Sequence, residues 1–354
     1  MTKTIRVGNI DLGGDSPVRI QSMTKTKTED AKATISQIKE LAEVGCEMIR
    51  IAVPDGEAAS GLKEIVRESP IPVLADIHFS PRLALASLEA GVAQIRWNPG
   101  NIERGKAYDV IRLAAGWKVA VRVGVNVGSL PSNIPHTTDG IVDFTMDSVK
   151  FVEDIWGSNP LIEISAKTSS AIDTIAIYWT LSTKTEWPLH IGVTEAGLPL
   201  VGAIRSACGL GPLLMMRIGS SIRVSLTGNP TLEVAVAKEM LRCLRLREFN
   251  EPILVSCPTC GRTEIDLVHI TKEVKIRLTR VKKPIKVSVM GCRVNGIGEA
   301  QYADYAICGG KGRGAILKKG KIVRSVPESN LVDALMDEIE KGEDCKKCTS
   351  TTHR

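Results

Sequence analysis

Residues 72–100 read PVLADIHFSPRLALASLEAGVAQIRWNPG, and this stretch decides the fold. Two short runs rich in apolar residues, 72–79 and 93–100, flank a segment whose apolar residues recur at the period of a helix. Gly91 stands where that helix should end. A strand, a helix and a second strand in this order predict a βαβ unit with two parallel strands.

The same unit repeats along most of the chain. Further strand candidates are VRIQSM at 18–23, MIRIAVP at 48–54, VAVRVGVN at 119–126, LIEISAK at 161–167, PLHIGVTEAG at 188–197 and SIRVSLTGN at 221–229. Helix-period segments follow them, with Asp30, Ser170 and Thr231 near predicted helix starts and Gly45 and Gly116 near predicted ends. Eight such units predict an α/β protein with a closed (β/α)₈ barrel.

The character of the sequence changes near residue 250. Cysteines, glycines and short strands follow, and a final amphipathic helix is predicted at 330–340. We therefore predict two domains: a barrel over residues 1–250, and a smaller α/β domain over 251–354 with a polar tail from Lys341.

Composition narrows the class of protein. Hydrophobic residues make up 43% and charged residues 24%, and no run approaches the roughly 18 apolar residues of a membrane span. The N-terminus lacks an apolar signal region, and the nine cysteines do not suggest a disulfide framework, so we expect a cytoplasmic protein. The net charge is +6, but many arginines fall singly at strand ends, so we expect no nucleic-acid binding.

Polar residues recur at the predicted carboxyl ends of the strands, where (β/α)₈ enzymes place their active sites. Five pairs have an even spacing and so share one strand face: Asp76 and His78, Arg96 and Asn98, Arg122 and Asn126, Ser165 and Lys167, and Arg223 and Ser225. Arg50 and Glu195 join them from two further strands. Because so many cations converge, we predict a site for a phosphate or diphosphate.

The second domain carries candidate metal ligands. Cys257 and Cys260 form a Cys-x-x-Cys turn, and Cys292 precedes Glu299 by seven positions. By spacing alone this pattern suits structural zinc, with Cys345 and Cys348 as possible further ligands. Three cysteines with one weaker oxygen ligand would instead suit an iron-sulfur cluster with one accessible iron.

The other cysteines carry less information. Cys46, Cys208 and Cys243 fall within helix-period segments, and we predict that they are small core residues. Cys308 has no assignment from the sequence.

Several motifs together resemble the hydroxymethylbutenyl diphosphate synthase family, in its bacterial two-domain form, over essentially the whole chain. They are, in order, VGN, QSMT, ADIHF, RWNPGN, RVGVNVGSL, HIGVTEAG, RVSL, CPTCGRTEID and GCRVNGIGEA. The chain differs from the family's glycine-proline-glycine-glutamate turn, since Ile297 stands in the place of the proline.

The resemblance implies an activity and a cofactor. The activity is the reductive opening of methylerythritol cyclodiphosphate to hydroxymethylbutenyl diphosphate, with electrons from flavodoxin or ferredoxin. The cofactor is one 4Fe-4S cluster held by Cys257, Cys260, Cys292 and Glu299, with Glu299 as the replaceable ligand. A homodimer with an active site shared between the chains is also implied.

The resemblance also implies roles for the polar residues at the strand ends, here called the polar ring. The diphosphate would be held by Arg50, Arg96, Arg122, Asn126, Lys167, Arg223 and Ser225, with His78 and Asn98 as further candidates in the same ring. Asp76 and Glu195 would face the reacting carbons, and we expect Glu195 to donate a proton to the departing hydroxyl.

Two alternatives remain open at this point. One is a non-redox barrel enzyme that acts on a phosphorylated substrate and carries a structural zinc domain. The other is a zinc-ribbon protein that binds nucleic acid, which would leave the polar ring without a purpose.

Overall fold

The computed structural model describes residues 2–77 and 80–347, apart from the side chains of Asn295 and residues 343–347. The chain forms two compact units, Met1–Arg247 and Glu248–Arg354. Among the described residues, no helix is long and apolar enough to cross a membrane.

The first unit contains a small hairpin and an eight-stranded parallel sheet. The hairpin pairs β1 (Ile5–Val7) with β2 (Ile10–Leu12). The sheet contains β3 (Arg19–Met23), β4 (Met48–Val53), β5 (Val73–Ile77), β6 (Gln94–Trp97), β7 (Ala120–Asn126), β8 (Ile162–Lys167), β9 (His190–Ile191) and β10 (Ser221–Ile222). Its order is β8-β7-β6-β5-β4-β3-β10-β9, and a parallel bridge between Ile164 and Leu189 joins its two edges. The predicted (β/α)₈ barrel is confirmed.

Eight helices alternate with these strands. They are α1 (Ala31–Glu43), α2 (Gly56–Glu68), α3 (Pro81–Glu89), α4 (Arg104–Trp117), α5 (Thr138–Trp156), α6 (Ala171–Lys184), α7 (Pro199–Met215) and α8 (Pro230–Cys243), with a 3₁₀ turn at Val127–Ser129. Asp30 and Ser170 cap α1 and α6 as predicted, because each side chain accepts a hydrogen bond from a first-turn amide. Asn229, rather than Thr231, caps α8. Lys118, rather than Gly116, takes the left-handed position that ends α4.

The strand β8 shows how the barrel positions its polar side chains. In β8, Ile162, Ile164 and Ala166 are fully buried and alternate with Glu163, Ser165 and Lys167. Because side chains alternate along a strand, the apolar set packs against the helices while the polar set points into the barrel. This alternation positions the site described below.

The second unit is a five-stranded sheet with three helices. Its elements are β11 (Ile253–Ser256), α9 (Leu267–Leu278), β12 (Lys286–Met290), α10 (Arg293–Ala300), β13 (Tyr305–Gly310), β14 (Arg313–Lys318), β15 (Lys321–Pro327), a 3₁₀ turn at Glu328–Asn330 and α11 (Leu331–Lys347). The first three strands are parallel, and β14 and β15 are antiparallel. Val274, Val287, Ile307 and Leu335 belong to its core. The helix α11 extends past its predicted end at residue 340.

Candidate functional site

The carboxyl half of the barrel strands carries an ion-pair cluster around Asp76. Asp76 Oδ1 accepts a hydrogen bond from Arg96 Nη1 at 2.9 Å, and Asp76 Oδ2 lies 3.6 Å from Arg50 Nε. These residues come from the neighbouring strands β4, β5 and β6, and all three side chains are largely buried. The carboxylate therefore holds two guanidinium groups in fixed positions within the barrel.

Gly124 makes room for one of these guanidinium groups. A Cβ atom at this position would lie 2.4 Å from Arg96 Nε, which is closer than atoms can pack. Arg96 Nη2 also donates a hydrogen bond of 2.8 Å to the Gly124 carbonyl. The glycine in RVGVN therefore lets the Arg96 side chain lie flat against β7.

Lys167 and Arg223 add positive charge from the other side of the barrel. Burial, followed by the charges of Arg50 and Arg223, lowers the pKa of Lys167 well below its usual value. Among the described residues, the buried Arg223 Nε has no hydrogen-bond partner. A buried donor without a partner is costly, so its presence needs an explanation. An anionic ligand that accepts from Arg223 Nε would supply one.

A deeper layer of the barrel contains a buried ion pair. Arg122 Nε donates to Glu163 Oε2 at 2.7 Å, and Gln94 Nε2 donates to the same oxygen at 3.0 Å. Arg122 Nη1 donates to Gln21 Oε1 at 2.7 Å. Arg122 and Glu163 are completely buried, so the structure places Arg122 in the barrel interior with protein partners on either side.

The sequence predictions omitted Glu163, Gln21 and Gln94. The signal was present for Glu163, which lies two positions before Ser165 in LIEISAK and therefore shares its strand face. The predictions included only polar residues near the strand ends, whereas here the polar face continues into the barrel.

The remaining predicted ligands lie at the ends of their strands. Asn98 Oδ1 accepts from the Gly100 amide and its Nδ2 donates to Ser129 Oγ, while Asn126 Oδ1 accepts from the Gly128 amide. Both asparagines thus fix the loops after β6 and β7. Ser225 is half-buried, three residues beyond the end of β10. His78 lies outside the described residues, so its role stays a prediction.

Glu195 has an unusual backbone. Its φ is +53°, in the left-handed region that costs a non-glycine residue about 1–2 kcal/mol. Its side chain is exposed, and it follows β9 by four residues. Five other described non-glycine residues share this conformation, including Lys118 at the end of α4, so the role of Glu195 rests on its position after β9.

The four cations Arg50, Arg96, Lys167 and Arg223 are here called the cationic rim. Their mutual repulsion predicts that the protein takes up protons when it binds an anion. Burial and neighbouring cations lower the Lys167 pKa in the free protein, whereas a bound anion should raise it. At a pH between these two values, binding of pyrophosphate should take up protons, and its affinity should fall as the pH rises through that window. Calorimetry in buffers with different ionisation heats measures the uptake. A Lys167→Met variant, which removes the amine, should show less uptake; equal uptake in both proteins would contradict the assignment.

In the second unit, cysteines lie at the carboxyl ends of three neighbouring parallel strands. Cys257 directly follows β11, Cys292 follows β12 by two residues, and Cys308 lies on β13 opposite Met290. The Gly291 amide donates a hydrogen bond of 3.3 Å to Cys257 Sγ. Burial, followed by the charges of Cys292 and Cys257, raises the pKa of Cys308 to about 11.

Cys260 and Glu299 are both exposed. Hydrogen bonding from the Arg262 amide lowers the pKa of the Cys260 thiol, which favours the thiolate form that binds metals. Cys292 directly precedes α10 without a capping hydrogen bond from its side chain, and Glu299 lies seven residues further, roughly 10 Å along the helix axis. Within the described part of the chain, no three histidine, cysteine or acidic side chains are arranged to hold a single metal ion.

The donor chemistry of this edge fits an iron-sulfur cluster. Three candidate cysteine ligands follow β11 and β12, and the Gly291 amide donates to one of their sulfurs, which is an interaction known to tune such clusters. An exposed carboxylate such as that of Glu299 is a weaker and more readily exchanged oxygen donor than a thiolate. Cys345 has no described side chain, and Cys348 lies outside the described residues.

The prediction for the three remaining cysteines was partly wrong. Cys46 is buried, as predicted, but Cys208 and Cys243 are exposed on α7 and α8. Both helices carry apolar residues on more than one face, so helical periodicity alone did not identify the buried face.

Comparison with protein families assigns both units. Residues 2–238 match the GcpE TIM-barrel domain, and residues 253–341 match the GcpE protein C-terminal domain. The chain belongs to the GcpE family.

Curated relatives connect the GcpE family chain to an activity. A protein of Dehalococcoides mccartyi is 50% identical over 95% of this chain and 97% of its own length. Proteins of Clostridium perfringens (49% identical, 96% of this chain and 98% of their own) and Geobacter sulfurreducens (48%, 96% and 97%) are similarly close. All three are named 4-hydroxy-3-methylbut-2-en-1-yl diphosphate synthase (flavodoxin), which confirms the family resemblance and gives no support to a non-redox zinc protein.

Solved structures support the barrel of this GcpE family member. Dihydropteroate synthase from Xanthomonas albilineans, in complex with 7,8-dihydropteroate, aligns with a TM-score of 0.52 and 15% identity over 68% of this chain and 97% of its own. N-acetylneuraminic acid synthetase from Leptospira borgpetersenii aligns with a TM-score of 0.51 and 15% identity over 79% and 99%. At such identities the likeness shows the fold alone.

Proposed function

We propose that this chain reductively opens 2-C-methyl-D-erythritol 2,4-cyclodiphosphate to (E)-4-hydroxy-3-methylbut-2-enyl diphosphate, a step of isoprenoid biosynthesis. The reaction consumes two electrons and two protons and releases water. Near-50% identity over both domains to relatives named for this activity supports the proposal. The structural observation that carries it is the rim of Arg50, Arg96, Lys167 and Arg223 in the barrel, which suits a diphosphate.

Within this proposal, the rim residues bind the diphosphate in different ways. Arg50 and Arg96, held by Asp76, bind diphosphate oxygens as preoriented planar donors. Arg223 offers its unpartnered Nε, and Lys167 offers a compact charge. Ser225, Asn98, Asn126 and His78 are proposed further ligands, and Arg122 contributes positive charge from the layer beneath.

Two carboxylates are proposed to act near the reacting carbons. Asp76 keeps the guanidinium groups apart and in place, and it faces the sugar-derived part of the substrate. Glu195 donates a proton to the departing hydroxyl, so that water leaves rather than hydroxide. Its exposed side chain, next to the carboxyl end of β9, is accessible to a ligand.

The proposed cofactor is one 4Fe-4S cluster. Cys257, Cys260 and Cys292 would hold it through thiolates, and Glu299 would hold it through an exchangeable carboxylate. When bound, such a cluster supplies electrons one at a time. The Gly291 amide, which donates to Cys257 Sγ, would stabilise the negative charge on that sulfur.

We also propose the partners and the setting. The name of the relatives supports flavodoxin as the electron donor. Ferredoxin is the other small carrier that the family resemblance implies. A homodimer, with its active site shared between the chains, is supported by exposed apolar side chains on α7, including Leu200 and Ile204. Free cysteines are consistent with the reducing cytoplasm.

Metal analysis tests the cofactor assignment. We expect protein purified without oxygen to contain about four iron and four acid-labile sulfide per chain, with little zinc. Replacing Cys292 with Ser should lower iron and sulfide together, because it removes one of three thiolate ligands. Cys208→Ser, at an exposed cysteine on α7, is the matched control and should leave both unchanged. Stoichiometric zinc without sulfide would refute the cluster.

A further inference from the structure

Lys167 has a histidine partner deep in the barrel. Lys167 Nζ lies 2.9 Å from His190 Nε2, and both residues are buried. The backbone around this pair is fixed by Tyr178, whose hydroxyl donates to the His190 carbonyl and accepts from the Ala166 amide. The contact therefore joins β8 to β9, close to where the bridge at Ile164 and Leu189 closes the barrel.

The hydrogen bonds continue from His190 to a buried carboxylate. His190 Nδ1 lies 2.7 Å from Ser221 Oγ, and Ser221 Oγ lies 2.6 Å from Glu163 Oε1. The other oxygen of Glu163 accepts from Arg122 and Gln94. The four side chains of this series are buried, namely those of Glu163, Ser221, His190 and Lys167.

Chemistry fixes the direction of each hydrogen bond. The Glu163 carboxylate only accepts, so Ser221 must donate its single hydroxyl proton to Glu163. Ser221 Oγ must then accept from His190 Nδ1–H. In a neutral imidazole this leaves Nε2 as an acceptor, and Lys167 Nζ donates to it.

The imidazole is neutral in this setting. Burial, followed by the charges of Arg122 and Lys167, lowers the pKa of His190 well below its usual value. A neutral acceptor satisfies one N–H group of Lys167 without cancelling its charge. Arg50 and Arg96 differ in this respect, because their partner Asp76 carries a negative charge.

We propose that Glu163, Ser221 and His190 form a hydrogen-bond relay that positions Lys167 and leaves its positive charge available to an anionic ligand. His190 is thus a positioning residue, held as the Nδ1–H tautomer by Glu163 through Ser221. The relay deepens the proposed function, on which the identity of the ligand as a diphosphate rests. The tautomer itself does not depend on that function.

Nitrogen NMR on the full chain tests the tautomer directly. In protein labelled with ¹⁵N in its histidine rings, the His190 signals, identified by their loss in His190→Gln, should show a protonated Nδ1 and an unprotonated Nε2. Ser221→Ala should remove this single tautomer, because Nδ1–H loses its acceptor. An imidazolium, or an Nε2–H tautomer in the unsubstituted protein, would overturn the proposal.

Pyrophosphate binding tests the consequence for Lys167. His190→Leu should weaken binding about 10-fold or more, as expected when a charged group loses its hydrogen-bonded support. His190→Gln should restore much of the affinity, because its amide can accept from Lys167 and donate to Ser221. Lys167→Met removes the amine altogether and should therefore show the largest loss of pyrophosphate affinity.

The outcomes separate the relay from the proposed function. Wild-type affinity in His190→Leu with an unchanged unfolding temperature would overturn the relay. If His190→Leu does not fold, the comparison moves to Ser221→Ala, which should weaken binding in the same direction. If the unsubstituted protein does not bind pyrophosphate, the anion site fails and takes the ligand part of the proposal with it, while the NMR result still decides the tautomer.

Discussion

Replacing Glu195 with Gln should lower kcat about 100- to 10,000-fold and change the substrate dissociation constant little. The amide has nearly the same shape as the carboxylic acid, but it cannot donate the proton that the departing hydroxyl needs. The backbone should be unaffected, because Gln at φ +53° bears the same strain as Glu. Single-turnover kinetics and equilibrium binding measure the two effects separately.

The control for this variant is Glu186→Gln. Glu186 is an exposed carboxylate that lies before β9, at the opposite end of the strand from Glu195. Its replacement removes one negative charge from the same part of the chain and should leave turnover unchanged. Wild-type turnover in Glu195→Gln would show that another group supplies the proton. Unchanged kcat with weakened binding would instead make Glu195 a substrate ligand.

The second large effect concerns stability. Replacing Glu163 with Ala should destabilise the barrel by about 3–5 kcal/mol, because Arg122 would remain buried without its counter-charge. The same change removes the acceptor for Ser221 and Gln94. All five tryptophans precede residue 248, so tryptophan fluorescence follows the unfolding of the barrel unit alone.

A double-mutant cycle isolates the ion pair. Arg122→Met combined with Glu163→Ala should be less destabilising than the sum of the two single changes, because the double variant leaves no buried charge unpaired. Glu186→Ala, at an exposed carboxylate, should change stability by at most about 0.5 kcal/mol. Additive effects of Arg122→Met and Glu163→Ala would mean that the two side chains do not interact as the structure shows.

Much of the fold could be predicted because short apolar runs and helix-period segments alternate so regularly. Even β9 and β10 fall within the predicted runs at 188–197 and 221–229, although each strand is only two residues long. The end of α4 was not predicted correctly, because a lysine can take the left-handed position that glycine usually fills.

The site could be predicted only in part. Spacing identified Arg50, Arg96, Lys167 and Arg223 as neighbours, since the ends of parallel strands meet at one rim. It could not show that Asp76 binds two of them, because pairing depends on side-chain directions across three strands. His190 illustrates the same limit, since its partners lie on β8 and β10, 23 and 31 residues away in the chain.

The most direct test of the account is turnover of the cyclodiphosphate by protein purified and assayed without oxygen, with reduced flavodoxin as the electron donor. We predict formation of 4-hydroxy-3-methylbut-2-enyl diphosphate, with two electrons consumed per product, and loss of this activity in Cys292→Ser. A protein that contains a complete cluster and binds the cyclodiphosphate, yet forms no product with flavodoxin, ferredoxin or a chemical reductant, would contradict the proposed function.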